Sequence, residues 1–437
     1  MKGLYISIIL LLSSICQASE NSFNDRNWFK GNLHTHSLWS DGDAPPEKIV
    51  SWYLENNYNF LVLSEHDLMM TNDKWIQVLD LKSCIRIKNP LSCEFLMTPE
   101  KLNNLEEKFG KSFVRIRKNI DDQIEMKLKT LYELRQEFES LENFILINGE
   151  EITDRYQNKA LHVNAINIKN NIIPKHGKNP LDTIQNNVDA VLNQGKDLDK
   201  PVLAIINHPN MEFSITPELL SDVDGIELLE IYNGYGDSLN KGDEYHPSVE
   251  AIWDIANTIR VGLLKKNLLF GVASDDAHHY YKDDIKRANP GRGWVVVDSQ
   301  KLSYDDITQE LKLGNFYSST GIELKDIIID NNSYTISINS MPGVDYKTIF
   351  IGTKKRKTKL HHLAKRKKAR ESDLNFQYNI GSILKVTQKN PATYKFSGDE
   401  LFVRAKVISS KFQDNPSEIG NKESAWVQPV KPVYKNK

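Results

Sequence analysis

Short apolar runs separated by amphipathic stretches are the feature that most limits the folds open to this chain. The runs are nearly continuous, which is typical of strands buried on both faces of a sheet. Stretches with helical periodicity, such as 46–56 and 181–193, separate several of them. This alternation predicts a mostly parallel sheet, and the number of repeats predicts a closed α/β barrel. The predicted strands lie at 28–33, 60–63, 144–147, 163–168, 202–206, 226–231 and 268–273.

Two regions depart from the alternation and indicate the domain plan. Residues 69–141 are charged, and their pattern from about residue 99 onward is typical of helix. We interpret 70–141 as an insertion between the second and third strands that either caps a site or binds a partner. After residue 326, alternating runs without a clear helix predict a sandwich-like β domain. We therefore expect an α/β barrel domain over 19–326 and a β-rich domain over 327–437.

The charge of the chain excludes a protein that coats polyanions along its whole surface. Lys and Arg number 56 against 58 Asp and Glu, giving a formal net charge of −2, so no general attraction to nucleic acid is expected. The one strongly basic stretch, 354–370, is interpreted either as an anion-binding patch or as a solvated loop. No aromatic residues alternate with its charges, as stacking on bases would require. We favour the loop and predict no specific nucleic-acid partner.

The amino-terminal residues have the pattern of a secretory signal peptide. Lys2 precedes an apolar run over 4–12, and small residues follow up to Ala18. This predicts a signal peptide over 1–18 and export to the periplasm or the extracellular space. An uncleaved anchor and lipidation at Cys16 are the alternatives. No other apolar run is long enough to span a bilayer, so no transmembrane segment is expected in the mature chain.

Two cysteines remain after residue 18, and neither lies near the histidine clusters described next. Cys84 and Cys93 flank a short loop and form either a disulfide in an oxidising compartment or two free thiols. The sequence has no Gly-x-Ser-x-Gly elbow, no phosphate-binding Gly-rich loop and no Cys-x-x-Cys motif. This excludes the common serine hydrolases, nucleotide-binding loops and thioredoxin-like redox sites.

Histidines and carboxylates gather where the predicted strands end. His34 and His36 form a His-x-His pair, and alternation along a strand places both imidazoles on the same side. In a parallel barrel all carboxyl ends of strands meet at one face. Unpaired carboxylates gathered there would be costly to bury, and divalent cations remove that cost. The sequence therefore predicts a metal site from these clusters: His34, His36, Asp41 and Asp43; Glu65, His66 and Asp67; Glu150, Glu151 and His162; His208; and Asp275, Asp276, His278 and His279.

The order of these motifs resembles the polymerase and histidinol phosphatase (PHP) superfamily. The shared pattern is His-x-His, Ser-Asp-Gly, His-Asp, Gly-x-Glu, His, Asn-His-Pro and Asp-x-His. The segments 31–36, 275–278, 293–295 and 317–321 are most similar to its carbaryl-esterase-like branch. The resemblance covers about residues 28–323 and leaves the insertion unmatched.

The resemblance implies a distorted (β/α)7 TIM-like barrel that holds two to three divalent ions, Zn, Mn or Fe. Asp41 stands where other members have histidine, and a carboxylate oxygen at the third site favours Mn²⁺ or Fe²⁺. The implied ligands of the three ions are His34, His36, Glu151 and Asp276 for the first, Glu151, His162 and His208 for the second, and Asp41, His66 and His278 for the third.

The expected activity is hydrolysis of a small phosphorylated substrate, a phosphomonoester or a nucleotide or sugar phosphate, by a metal-bound hydroxide. Asp67 and His279 are candidates for proton transfer, and Arg292 and Asn233 for substrate binding. Each of these four side chains has an alternative structural role. A carboxylic ester or a carbamate is the alternative substrate at the same site. A binding protein for an anionic polymer or surface, with the barrel as scaffold, is the alternative of a different class. The sequence does not indicate an oligomeric state.

Overall fold

A computed structural model of the chain describes residues 27–80, 82–83, 93–139, 143–355 and 379–433. The predicted signal peptide 1–18, Cys84 and nearly all of the basic stretch 354–370 lie outside these residues. Cys93 is engaged in a disulfide. Every helix in the described ranges is too short or too polar for a bilayer crossing.

The helices begin where the sequence supplies caps. Proline occupies the first turn of four of them, where its missing N–H costs nothing. Side chains of Thr98, Asn179 and Thr216 accept backbone N–H groups at three of these starts. The helices are α1 (Pro46–Glu55), α2 (Pro99–Phe109), α3 (Leu131–Phe138), α4 (Pro180–Leu198), α5 (Pro217–Asp222), α6 (Val249–Ile259) and α7 (Tyr304–Leu313).

The strands include one at each of the seven apolar runs predicted from the sequence. They are β1 (Asn27–Asn32), β2 (Phe60–Val62), β3 (Lys74–Gln77), β4 (Ile116–Lys118), β5 (Ile124–Leu128), β6 (Ile145–Ile147), β7 (Gly149–Tyr156), β8 (Lys159–Ile166), β9 (Leu203–Ile206), β10 (Leu228–Asn233), β11 (Phe270–Ser274), β12 (Trp294–Ser299), β13 (Phe316–Ser319), β14 (Leu324–Ile329), β15 (Ser333–Ile338), β16 (Tyr346–Lys354), β17 (Ser382–Thr387), β18 (Ala392–Lys395), β19 (Glu400–Phe412) and β20 (Lys422–Val430).

The strands form a mixed α/β fold, which confirms the predicted class. One nine-stranded sheet has the order β17-β16-β19-β20-β13-β12-β1-β2-β6, and a second has the order β11-β10-β9-β8-β7. The strand groups β1-β2-β6 and β9-β10-β11 are parallel. Strand β8 runs antiparallel to both of its neighbours, and β12 runs antiparallel to β1. The sheets are therefore less parallel than the strand–helix alternation predicts.

A closed barrel does not appear in the strand pairing of the described residues, so the predicted ring of strands is not observed as such. The two large sheets are joined by isolated bridges, one from Thr35 to Ala277 and one from His66 to Glu151. Thr35, His66 and Ala277 lie just beyond strand ends, whereas Glu151 lies within β7. The bridges connect the two sheets among the residues of the histidine clusters.

The insertion is only partly helical, which corrects the expectation for 99–141. It contains α2 and α3, but between them β4 and β5 form a three-stranded sheet with β3. A buried cluster that includes Leu102, Leu105, Met126 and Leu134 packs the insertion against the residues around α1. The insertion is therefore part of the main body of the fold.

The carboxyl-terminal strands extend the nine-stranded sheet. Strand β13 pairs with β20 through Tyr317↔Val427, Ser318↔Trp426 and Ser319↔Ala425. A three-stranded sheet, β14-β15-β18, packs against this region in a common apolar cluster. In that cluster the rings of Tyr334 and Phe350 lie 6.0 Å apart. The division at 326/327 remains a prediction, and hydrogen bonds of one sheet run across it.

Candidate metal centre

The nine predicted ligands lie together at one end of the strands. His34 and His36 follow β1, His66 follows β2, and His208 follows β9. The remaining ligands come from the turn after β1, from the antiparallel pair β7-β8 and from the segment after β11; they are Asp41, Glu151, His162, Asp276 and His278. As ligands they remain a prediction, and the structure supplies the geometry that such a site requires.

Glu151 occupies the centre of the cluster and is 1% exposed. Its Oε2 lies 3.3 Å from His34 Nε2 and 3.4 Å from His36 Nε2. Asp276 Oδ1 lies 3.3 Å and 3.2 Å from the same two nitrogens. We call His34, His36 and Glu151 the central group; each offers one ligand atom within 4.8 Å of the others.

Two further groups flank the central group. The inner group is Glu151, His162 and His208, with Glu151 Oε1 3.1 Å from His162 Nδ1 and 3.2 Å from His208 Nε2. Glu151 therefore belongs to two groups and is placed to bridge two ions.

The outer group is His36, Asp41, His66 and His278. Asp41 Oδ2 lies 3.3 Å from His66 Nε2, and its Oδ1 lies 3.4 Å from His278 Nε2. His36 belongs to both the outer and the central group. The three groups overlap the three ligand sets that the family resemblance implies, but the central group lacks Asp276 and the outer group includes His36.

The donor set fits divalent metal ions. The Nε2 atoms of His34, His36 and His162 are buried and have no hydrogen-bond partner among the described residues. Burial and the neighbouring His278 and His66 lower the pKa of His36 to about 4, so its imidazole is neutral at pH 7. Burial opposes ionisation of Asp276, but the surrounding histidines outweigh it and keep the pKa of Asp276 far below its usual range. Neutral imidazoles and ionised carboxylates are the forms that bind transition metals. Burial opposes protonation of His34, His66, His208 and His278, but the neighbouring carboxylates outweigh it and raise the pKa of each, so an ion binding there would displace protons.

The acidic neighbours of two predicted ligands point away from the cluster. Glu150 accepts the N–H of Ile172 at 2.6 Å and is also bonded to Asn171. Asp275 accepts the N–H groups of Arg292 at 2.6 Å and Gly293 at 2.8 Å. Both carboxylates organise loops behind the site, which leaves Glu151 and Asp276 to face the histidines.

Sequence reasoning missed two buried carboxylates that support the ligands. Glu230 lies inside β10 with its Oε1 2.7 Å from His34 Nδ1. Glu65 accepts the N–H of Ser37 at 3.1 Å and the hydroxyl of Ser40, and thereby holds the turn that carries Asp41. Glu65 was visible in the sequence as the neighbour of His66. Glu230 could have been recognised as the one carboxylate between apolar residues of a buried strand.

A cavity of roughly 630 Å³ opens beside the ligands. His279 lines it, and its Nδ1 has no hydrogen-bond partner among the described residues. Burial and the neighbouring His278 and Arg287 lower the pKa of His279 to about 4. Asp67 is absent from the described wall of this cavity, and its Oδ1 accepts the N–H of Thr153 at 2.7 Å. The proton-transfer assignments therefore stay predictions, with His279 the better placed.

The predicted substrate-binding roles of Arg292 and Asn233 are not supported. Arg292 is 1% exposed, and its guanidinium donates to the carbonyls of Gly234 at 2.9 Å and Asp284 at 3.0 Å. Its N–H groups hold loops together, so they are not directed at an anion in the cavity. Asn233 donates from Nδ2 to Glu230 and to Asp276, at 3.0 Å each. Asn233 thus positions a predicted ligand.

No family model matches the sequence, and no curated protein matches it. Among solved structures, the chain is similar to a two-domain protein from Bacteroides vulgatus that contains a predicted PHP-like metal-dependent phosphoesterase, with 15% identity, 93% of this chain and 96% of that chain covered, and a TM-score of 0.38. It is also similar to a candidate metal-dependent phosphoesterase from Bifidobacterium adolescentis, with 11% identity, 57% and 87% covered, and a TM-score of 0.28.

A third similar structure is an amidohydrolase from Chromobacterium violaceum with bound sulfate and no metal, at 13% identity, 57% and 88% coverage and a TM-score of 0.28. Of the three proteins, only the first is described as PHP-like. None of the three is described as similar to carbaryl esterase. The likeness is partial at these TM-scores, so the function is argued from the site alone.

Proposed function

We propose that the chain is a metal-dependent hydrolase of the PHP type that cleaves phosphoesters. One observation carries the proposal: three groups of potential ligands lie beside an open cavity, with Glu151 common to the central and inner groups and His36 common to the central and outer groups. Packing alone does not require eight imidazoles and carboxylates within contact of one another, all but Asp41 buried or half-buried, and ions bound there would offset their desolvation.

Divalent ions such as Zn²⁺, Mn²⁺ or Fe²⁺ bound in these groups would supply Lewis acidity and an activated water. The chain's own residues supply the geometry. Glu151 holds the central and inner groups at a common carboxylate, and Asn207 donates to Glu151 Oε1 at 2.8 Å to fix its orientation. His34 is oriented by Glu230, and Asp276 by Asn233. His279 faces the cavity and is placed to contact a bound ester.

The proposal includes the distorted (β/α)7 barrel and membership of the PHP superfamily. A single buried cluster supports the barrel, because it takes residues from strands of both large sheets. These residues are Phe60, Val62, Ile147, Ile166, Leu203, Ile205, Leu228, Val272, Val295 and Val297, together with Leu33 just after β1. Side chains that meet this way from β2, β6, β8, β9, β10, β11 and β12, and from the residue after β1, are what the interior of a flattened barrel would contain.

A carboxylic ester or a carbamate is the second candidate substrate. The observation that favours it is the charge of the cavity wall. In the described part of the chain, no Lys or Arg lines the cavity. An ester without a phosphoryl group needs no such cation, and a metal-activated water attacks a carbonyl as well as a phosphorus.

Export of the protein is also a proposal. The disulfide at Cys93 supports it, because disulfides persist mainly in oxidising compartments. The predicted signal peptide over 1–18 provides the route. The β-rich part over 327–437 would then be exported with the barrel domain as one unit.

Metal content tests the proposal most directly. The protein from Ser19 onward is purified without chelators, and its metals are counted by plasma mass spectrometry beside the double variant His34→Ala/His36→Ala. Two to three transition-metal ions per chain, with fewer in the variant, are expected. The loaded protein should then release p-nitrophenol from p-nitrophenyl phosphate faster than from p-nitrophenyl acetate.

Each outcome separates the candidates. Faster turnover of the acetate would move the assignment to the carboxylic-ester candidate. A protein that stays free of metal after incubation with Zn²⁺, Mn²⁺ and Fe²⁺ would overturn the hydrolase assignment altogether.

A further inference from the structure

Outside the predicted ligands, the cavity wall is mostly apolar. Phe95, Met211, Tyr235 and Leu239 line it, while its charged residues other than the predicted ligands are Glu212 and Asp237. Glu212 is already paired with Arg155, whose Nη2 lies 2.8 Å from its Oε1. In the described wall, only bound ions could therefore neutralise a second anionic group of a substrate. An apolar substituent, in contrast, could pack on several apolar side chains.

Phe95 is the contribution of the insertion to this wall. It lies between the second and third strands of the predicted barrel, in a segment that the family resemblance does not cover. Its ring meets that of His279 edge to face, with the centroids 5.3 Å apart. The side chain is half-buried, so one part of the ring packs on the protein and another faces the cavity.

Several contacts restrain the backbone on both sides of Phe95. Glu94 and Arg287 form a two-pronged ion pair with N–O distances of 2.6 Å and 2.8 Å. Lys101 on α2 donates to the carbonyl oxygens of Glu94 at 2.7 Å and Leu96 at 2.9 Å. Cys93 is buried and disulfide-bonded. Such restraints keep the ring in one place before a ligand binds, which lowers the entropy cost of binding.

We propose that Phe95 is a specificity residue that selects phosphate esters carrying an aromatic or bulky apolar substituent. This inference rests on the proposed hydrolase function and adds the substrate class. The substituent would pack on Phe95, with Met211 and Leu239 closing the same wall. Nucleotides with several phosphates and sugar phosphates would be poor substrates, because their charged or polar parts would meet this surface.

Matched ester pairs test the proposal on the metal-loaded full-length protein. Benzyl phosphate is compared with methyl phosphate, and dibenzyl phosphate with dimethyl phosphate, so that one pair is a monoester, the other a diester, and only the benzyl members carry an aromatic group. The benzyl member should have the higher kcat/KM. Phe95→Ala should reduce the benzyl-to-methyl ratio by about three- to tenfold, the range of one aromatic pair, and leave the methyl esters nearly unchanged.

A binding measurement supports the kinetic one without turnover. Calorimetry with benzylphosphonate and methylphosphonate should give the wild type a lower Kd for the benzyl compound, and Phe95→Ala should remove most of the difference. Phe95→Leu should keep part of the preference, because it keeps an apolar side chain there. Phe113→Ala is the matched control: Phe113 is also half-buried in the insertion, but it stacks on Phe109 away from the cavity and should leave the ratio unchanged.

The outcomes distinguish this inference from the function on which it rests. Turnover with equal ratios in the wild type and in Phe95→Ala would overturn the specificity role and keep the hydrolase. An equal fall in the Phe113→Ala control would show that the effect is not local and would also overturn it. No turnover of either pair by protein that holds its metals would overturn both.

Discussion

Glu230 connects three predicted metal ligands, although it does not itself line the cavity. Its Oε1 lies 2.7 Å from His34 Nδ1, and its Oε2 accepts the backbone N–H of His208 at 2.7 Å. Asn233 Nδ2 donates to Glu230 and to Asp276. His208 and Asp276 have positive φ values of 22° and 49°, a conformation that needs support from its surroundings. Glu230 therefore fixes the tautomer of His34 and the backbone of His208, and it supports the Asp276 carboxylate through Asn233.

The variant Glu230→Gln should lose metal affinity by about 10- to 100-fold, the usual effect of removing such a supporting carboxylate. Both oxygens of Glu230 accept hydrogen bonds, one at His34 Nδ1 and one from the N–H of His208. The amide replaces one of these oxygens by an NH2 group, so one of the two hydrogen bonds is lost. Competition with a chromogenic chelator measures the affinity. Glu227→Gln, just before the same strand, is the matched control and should bind metals as the wild type does. Unchanged affinity in Glu230→Gln would show that Glu230 only fills space.

At the residue scale, the sequence identified the side chains that gather in the cluster better than the residues that support them. His34, His36 and Asp276 could be predicted because the end of an apolar run and the motifs His-x-His and Asp-x-His are visible within a few residues of sequence. The role of Arg292 could not, because the carbonyls that occupy its guanidinium come from residues 234 and 284, and no local pattern shows where they lie. Glu230 was missed for a similar reason, since its partners come from three other parts of the chain.

Helix α1 carries a buried carboxylate that should make stability depend on pH. Glu47 is 1% exposed, and its Oε2 has no hydrogen-bond partner among the described residues. Burial raises the pKa of Glu47 from 4.5 to about 7. Below pH 4.5 both the folded and the unfolded chain are protonated there, and no penalty arises. As the pH rises towards 7 the unfolded chain ionises first, so the free energy of unfolding falls and stays reduced above pH 7.

The variant Glu47→Gln should remove this loss and be more stable than the wild type by about 2–3 kcal/mol at pH 8, with a smaller gain at pH 5. Urea unfolding at the two pH values measures the difference. Glu100→Gln is the control, because Glu100 also follows a proline at the start of a helix but is exposed. A gain for Glu47→Gln that is equal at both pH values would contradict the role of ionisation.

At the element scale, apolar runs predicted strands well, and the insertion was predicted poorly. Helical periodicity was assigned from residue 99 to 141, yet β5 lies within it. Residues 124–128, Ile-Glu-Met-Lys-Leu, alternate apolar and polar side chains, which is the pattern of a half-buried strand. This short alternation was not recognised because the residues around it favour helix. The antiparallel orientation of β8 relative to β7 and β9 could not be predicted either, because an apolar run does not show in which direction its strand pairs with its neighbours.

A buried ion pair links the α/β part to the carboxyl-terminal strands. Arg404 on β19 donates to Asp254 on α6 from Nε at 2.6 Å and from Nη2 at 2.7 Å, and both side chains are buried. The guanidinium also lies 4.8 Å from the centre of the Trp253 ring.

The variant Arg404→Met should destabilise the whole protein by about 3–5 kcal/mol, because it leaves Asp254 buried without a partner. Adding Asp254→Asn should recover much of the loss. Lys406→Met removes a more exposed pair with Glu250 and should cost at most about 1 kcal/mol. Urea unfolding measures all three. A double variant no more stable than Arg404→Met would show that packing, and not the unpaired charge, causes the loss.

The position of β20 has a consequence for how the chain is made. It lies between β19 and β13, in the middle of the nine-stranded sheet, yet it is the last strand in chain order among the described residues. During synthesis the hydrogen-bonding groups of β13 wait for a partner until residues 422–430 have left the ribosome. A bare strand edge is a template for pairing with other chains. A prematurely terminated product would therefore be an aggregation hazard with two open edges, and chaperones that hold nascent chains would matter most for this interval.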